Sequence, residues 1–312
     1  MHAVAHSVLD AIGATPMVDL GRLVPPGSAR VLAKLEFANP TGSMKDRMAK
    51  AAIEGAAASG RLKPGGTVVE YTAGTTGVSL ALVCAVKGYP LEIVFSDAFS
   101  EEKRHMMAAF GAHITDVISD HKKISNTLIK AMIQKAAEIS AQPGHWYCDQ
   151  LNNTDAIKGY LPLGDEIWTQ TGGQVDAFVQ AVGTAHAIHG VSQALRAHRP
   201  EIQVVAVEPE ESAVLSGRPT GSHQIEGIGI GFVPPLWEPG LVNEIQTVTT
   251  ADAKAMARRL TTEAGLFAGT SSGANLVAAL RLAQRLGPDA TVVTLLCDSG
   301  MRYLSTDVYR PR

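Results

Sequence analysis

The chain has 312 residues, with 27 lysines and arginines against 30 aspartates and glutamates, a formal charge of −3 and 46% hydrophobic content. That balance excludes a disordered chain, which needs low hydrophobicity and high net charge. It also excludes a dedicated nucleic-acid binder, which needs a basic excess to neutralise phosphates, and no apolar run is long enough to cross a bilayer. The opening Met1-His2-Ala3-Val4-Ala5-His6 lacks the basic flank and apolar core of a signal peptide. Only three widely spaced cysteines occur, Cys84, Cys148 and Cys297, so neither a disulfide framework nor a paired zinc motif is expected, and a cytoplasmic protein is.

In chain order, Val31 to Phe37 reads as a strand, followed by a helix that Ser43 can cap. Thr67 to Tyr71 reads as a strand, Gly77 to Lys87 as a helix, and Leu91 to Phe95 as a strand. A further helix has Ser100 as its N-cap and Glu101 and Glu102 in its first turn. Later come a strand over Asp176 to Val182, a helix over Ala187 to Ala197 and a strand over Gln203 to Val207. Asn275 to Leu286 reads as a helix and Ala290 to Leu296 as a strand. This alternation predicts an α/β fold with parallel sheets covered on both faces. The polar stretch Asp149 to Asn153 separates two blocks. The expected division is a smaller α/β domain over 42–150 and a larger one made of 1–41 plus 151–312. Clefts between such blocks are common ligand sites, with phosphate turns at the C-terminal ends of strands.

The first chemical signal is Asn39-Pro40-Thr41-Gly42-Ser43-Met44-Lys45-Asp46-Arg47. Lys45 falls in the first turn of the predicted helix, where the positive end of the dipole disfavours an ammonium and favours a nucleophilic neutral amine. Read alone, it is more simply a solvated lysine on a helix surface. Two strand-turn-helix turns follow, Thr72-Ala73-Gly74-Thr75-Thr76-Gly77 and Gly183-Thr184-Ala185-His186-Ala187, whose backbone amides suit anions. His186 and His189 have helical spacing, but no neighbouring Cys or acid completes a cluster, so no metal is expected. Gly269-Thr270-Ser271-Ser272-Gly273 matches Gly-x-Ser-x-Gly, the nucleophile elbow of α/β-hydrolases. An esterase with nucleophile Ser271 would need a histidine after it, and the last histidine is His223, so that reading is disfavoured.

Taken together and in order, these motifs resemble those of the cysteine synthase/cystathionine β-synthase family. These are fold-type II enzymes dependent on pyridoxal 5′-phosphate and similar in fold to the tryptophan synthase β chain. The resemblance runs from Ile12-Gly13-Ala14-Thr15-Pro16-Met17 through Ile225 to Pro234 and on to Asp298 to Thr306. It implies two open-sheet α/β domains with a cofactor cleft between them. By that resemblance Lys45 holds the cofactor as a Schiff base and shuttles the α-proton. Thr72, Ala73, Gly74, Thr76, Gln150 and Gly227 face the substrate, with the α-carboxylate clasped by the first loop. Thr75 stands where the family has an asparagine that touches the ring hydroxyl, and Ala73 where it has a serine. Gly183, Thr184, Ala185, His186 and Ala187 cradle the phosphate. Ala185, His186 and Ala187 depart from the family's Gly-Gly-Thr, and a charged His186 could sit beside the phosphate. Ser271 meets the pyridine nitrogen, or else serves as a helix cap, a role open to Ser272 as well. A neutral hydroxyl there makes a weaker electron sink than a carboxylate, suited to β-elimination.

The expected reaction is β-replacement on an O-activated serine through an α-aminoacrylate, with cysteine synthesis from O-acetylserine and sulfide the first choice. Cystathionine synthesis, O-phosphoserine-dependent synthesis and diaminopropionate formation use the same sites, with a thiol or amine as nucleophile. A non-catalytic regulatory homologue is the alternative of another class. The resemblance also implies a homodimer, without nucleic acid or membrane partners. Neither an N-terminal haem segment nor a C-terminal regulatory module is expected, since the chain ends soon after Thr306.

Overall fold

The computed structural model of the chain describes residues 4–121 and 126–310. Its strands are β1 (Met17–Asp19), β2 (Arg30–Leu35), β3 (Thr67–Tyr71), β4 (Leu91–Phe95), β5 (His113–Asp116), β6 (His145–Tyr147), β7 (Ala177–Ala181), β8 (Gln203–Pro209), β9 (Glu244–Val248) and β10 (Thr291–Leu296). Its α-helices are α1 (Lys45–Ala58), α2 (Thr75–Lys87), α3 (Glu101–Ala109), α4 (Asn126–Ser140), α5 (Asp155–Lys158), α6 (Leu161–Gln170), α7 (His186–His198), α8 (Thr250–Ala264) and α9 (Thr270–Leu286). No described helix is long and apolar enough to cross a membrane.

The chain forms two compact units, Met1–Ile12 with Asn39–Gly159, and Gly13–Ala38 with Tyr160–Arg312. Relative to the expected 42–150, the smaller unit also takes in the described residues before Gly13, the Asn39–Thr41 turn and the segment Leu151–Gly159.

The smaller unit holds a four-stranded, all-parallel sheet in the order β5-β4-β3-β6. Parallel strands need helical crossovers, and α2 and α4 pack on this sheet. The chain moves outward from β3 to β4 to β5, then returns to place β6 on the other flank of β3. In open α/β sheets a ligand crevice opens where the strand order reverses, beyond the strands' C-terminal ends. Here that point lies between β3 and β6, whose exits carry Thr72–Thr76 and Gln150.

The larger unit holds a six-stranded sheet in the order β1-β2-β10-β7-β8-β9, parallel throughout except for β1 against β2. Strands β7 and β10 are buried along their whole length, as befits predominantly apolar strands at the centre of a parallel sheet. Helix α9 lies at the centre of this unit's core, and α8 packs against it. The same reversal recurs, with β8 and β9 on one side of β7 and β10 on the other. The exits of β7 and β10 carry Gly183–Ala187 and Cys297–Ser299.

Candidate active site

In the smaller unit, Lys45 is the first residue of α1 and is half-buried. The N-cap is Met44 and not Ser43, but the Ser43 hydroxyl still accepts a hydrogen bond from the Lys45 amide at 3.2 Å. The turn before Lys45 is held by Asp46, which is fully buried. Asp46 accepts from the Thr41 backbone N–H at 2.8 Å and from the Thr41 hydroxyl at 2.5 Å. The Thr41 hydroxyl also lies 3.4 Å from Ser79 on α2, which ties the lysine turn to the neighbouring helix.

Helix α2 begins at Thr75, directly after the turn leaving β3. The Thr72 hydroxyl oxygen accepts from the Gly74 amide at 2.9 Å and the Gly77 amide at 3.3 Å. Thr76 donates its hydroxyl to Gln150 Oε1 at 2.8 Å, and Gln150 Nε2 donates to the Tyr71 carbonyl at 2.8 Å. Among the described residues, no hydrogen bond within the chain engages the backbone amides of Ala73, Thr75 or Thr76. Amides left over at a helix N-terminus form an anion site. The donors available here are therefore those three amides and the Thr72 hydroxyl proton; the Gly74 amide and the Thr76 hydroxyl are already in use.

Glu70 supports this arrangement from below. Its carboxylate accepts from the Gln150 amide at 2.9 Å and the Tyr71 amide at 3.0 Å. Burial pushes the pKa of its carboxyl well above the ordinary carboxylate range, against the lowering pull of those two backbone bonds. Neither Glu70 nor Asp46 was singled out from sequence. The available signal for Glu70 was a lone acid inside the otherwise apolar, buried run of β3.

In the larger unit, β7 leads through Gly183 and Thr184 to Ala185, the N-cap of α7, which adopts a left-handed backbone with φ of 70°. A left-handed residue followed by helical ones forms a concave nest of N–H groups that suits an anion. The amides of Gly183, Thr184, Ala185 and Ala187 are engaged by no hydrogen bond within the chain among the described residues. Gly183 must lack a side chain, because an added Cβ would collide with the carbonyl oxygen of Gly227. Gly227, exposed and with a φ of 87°, lies directly against the turn through that carbonyl. The Gly229 amide donates to the Val182 carbonyl at 3.1 Å and fastens the same contact. His186 is fully buried, with Nδ1 2.8 Å from the Thr184 hydroxyl. His189 turns elsewhere, with Nδ1 3.9 Å from Glu238.

Helix α9 starts at Thr270, five residues before the expected Asn275, with Gly269 as N-cap. Ser271 is thus the second helical residue and not a cap. Ser272 is not a cap either: its hydroxyl accepts from the Cys297 amide at 2.9 Å at the exit of β10. Asn275 Oδ1 accepts from the Ala181 amide at 2.6 Å, so the first turns of α9 are tied to the ends of both β7 and β10. Ser271 is 5% exposed, and the neighbouring Thr270 hydroxyl is buried without a hydrogen-bond partner. A nucleophile elbow needs a strained strand-to-helix turn at its serine. Ser271 sits inside a regular helix with no positive φ, which removes the esterase reading. Likewise Ser100 occupies the N-cap of α3 but makes no capping bond, its hydroxyl being buried without a partner.

Residues 8–298 match the family described as pyridoxal-phosphate dependent enzyme. The chain belongs to that family. It is 40% identical to a cysteine synthase of Staphylococcus aureus (strain Mu50 / ATCC 700699), over 97% of this chain and 96% of that protein. Among solved structures it resembles O-acetyl serine sulfhydrylase isoform 3 from Entamoeba histolytica, with a TM-score of 0.92, 40% identity, and coverage of 99% and 93% of the two chains. It also resembles an O-acetylserine dependent cystathionine β-synthase from Helicobacter pylori, with a TM-score of 0.92, 33% identity, and coverage of 99% and 100%. The protein is therefore a fold-type II, pyridoxal-phosphate-dependent enzyme. The residues present fit that cofactor: the nest after β7 offers unengaged amides for a phosphate, and the start of α9 offers buried hydroxyls.

Proposed function

We propose that this protein is a cysteine synthase, which forms cysteine from O-acetylserine and sulfide by β-replacement. The observation that carries the reading is the turn Thr72–Thr76, an anion-ready helix start already braced by Gln150, in a chain this similar to a cysteine synthase. Both named structural relatives are described by O-acetylserine, which supports acetate as the leaving group. Sulfide is preferred over homocysteine-type thiols because the sulfhydrylase is the more similar of the two.

Pyridoxal phosphate, when bound, supplies an electron sink that loosens the α-proton and the β-substituent of an amino acid. The chain's own residues then have distinct tasks. Lys45 anchors the cofactor through Nζ, and the same amine takes and returns the α-proton. The amides of Ala73, Thr75 and Thr76, with the Thr72 hydroxyl, hold the substrate carboxylate, and Gln150 keeps that turn in shape. Gly74 contributes its lack of a side chain, and Thr75 is the residue placed to meet the ring hydroxyl. Gly183, Thr184, Ala185, His186 and Ala187 hold the phosphate, Gly227 borders the substrate, and Ser271 meets the pyridine nitrogen as a neutral partner. A homodimer in the cytoplasm completes the proposal, the cytoplasmic location in keeping with three buried cysteines that form no disulfide among the described residues.

The test is to mix the holoenzyme with O-acetylserine, O-phosphoserine or serine and then with sulfide, homocysteine or an amine, and to quantify products. Cysteine and acetate formed fastest from O-acetylserine and sulfide are expected. Faster turnover with another pair would replace this assignment, and no turnover with any pair would favour a non-catalytic homologue.

A further inference from the structure

We propose that His186 acts on the cofactor phosphate through Thr184, by holding its proton on Nδ1 and thereby freeing the Thr184 hydroxyl to donate. The inference rests on the reading of Gly183–Ala187 as the phosphate turn. A threonine hydroxyl has one proton to give. With Nδ1 bare, the 2.8 Å contact would be Thr184 donating to His186, and that proton would be lost to the phosphate. With Nδ1 protonated, the ring donates to Thr184 Oγ1, and the hydroxyl proton is free to turn to a phosphate oxygen. Hydrogen bonds in such a chain polarise one another, so a threonine that accepts from the ring is the stronger donor.

This role answers a specific deficit. Ala187 has no hydroxyl, so Thr184 carries the only side-chain hydroxyl in the turn Gly183–Ala187. The fully buried imidazole is fixed two residues from that hydroxyl, at the start of α7, where its ring cannot swing out to solvent. No charge on the imidazole is required. His186 is thus a positioning residue that works by choice of tautomer.

The experiment uses the full-length apo-protein, titrated with pyridoxal phosphate and followed by absorbance. Thr184→Val is expected to weaken binding about tenfold, the value of one hydrogen bond to a charged group, and His186→Ala by a smaller factor of about threefold, because the lone hydroxyl can still donate but is neither oriented nor polarised by the ring. The double variant is expected to bind within about twofold of Thr184→Val alone, because without the Thr184 hydroxyl the ring has no route to the phosphate. His186→Asn, which places an amide N–H near the position of Nδ1, should recover most of the affinity. In the unmodified holoenzyme, ¹⁵N NMR should show His186 protonated at Nδ1. Losses that multiply in the double variant, or a His186 protonated only at Nε2 with cofactor bound, would overturn the proposal. Unchanged affinity in both single variants would also overturn the proposal while leaving the reading beneath it standing, with the phosphate held by the backbone amides of the turn alone.

Discussion

Gln150 presents its amide oxygen to the Thr76 hydroxyl at 2.8 Å while its amide nitrogen donates to the Tyr71 carbonyl at 2.8 Å. The second bond fixes which way round the amide lies, so the first is a bond from threonine to glutamine. Gln150→Leu should therefore leave a buried carbonyl and a buried hydroxyl without partners, each at a cost of about 1–3 kcal/mol. The expected result is a KM for O-acetylserine raised about tenfold or more, with a smaller fall in kcat. Steady-state kinetics decide it, and an unchanged KM would mean the turn holds its shape without Gln150.

Glu70 gives a prediction with a sign. Its carboxyl is raised by burial, so between the ordinary carboxylate range and the raised value the folded chain keeps a proton the unfolded chain has shed. Stability from this group is fully present below that window and is lost as pH rises through it. Glu70→Gln removes the titration and sets an amide NH₂ against one of the two backbone donors. The variant should be less stable than the parent at low pH, and the gap in Tm should narrow as pH rises. Parallel Tm profiles from acid to neutral pH would show that Glu70 does not titrate in this way.

Lys45→Ala should abolish the visible absorbance of covalently held cofactor and reduce turnover to background. The far-UV circular dichroism should be retained, because a half-buried residue at the start of a helix is replaced by the best helix former. A purified variant that is still yellow would exclude this lysine as the anchor.

Ser271→Asp should place a carboxylate where a neutral hydroxyl meets the ring, keeping the pyridine nitrogen protonated. Cysteine formation should slow, while Ser271→Ala should be milder. Stopped-flow mixing with O-acetylserine would measure both, and a Ser271→Asp enzyme with parental rates would remove Ser271 from the ring.

Much of this was legible before any coordinates, and what was missed has common causes. The strands Thr67–Tyr71 and Leu91–Phe95 coincide with their apolar runs because both are bounded by turn residues. The start of α9 was misplaced because Gly273 reads as a helix breaker. In the fold it is an approach point, since an added Cβ would collide with the Ala253 carbonyl of α8. The cap role left open for Ser271 and Ser272 fails for the same reason, since both lie inside the helix. Lys45 and the two glycine-threonine turns announce themselves as contiguous words. Glu70 does not, because its partner Gln150 is distant in sequence and is brought close only by the pairing of β3 with β6. Asp46 sits within a recognised word, yet its work is on Thr41 behind it and is visible only as a hydrogen bond.

The burial of Cys84, Cys148 and Cys297 carries a chemical consequence for an enzyme proposed to consume sulfide and release a thiol. Its surroundings would be rich in nucleophilic sulfur and, under oxidation, in persulfides and mixed disulfides. Exchange begins with an accessible thiolate. Burial pushes the Cys84 thiol up to about 12 and raises Cys148 well above its ordinary value, so neither yields that species readily at neutral pH. The protein's own sulfur is thereby kept out of the reaction mixture it would create, and product build-up should leave no covalent mark on the chain.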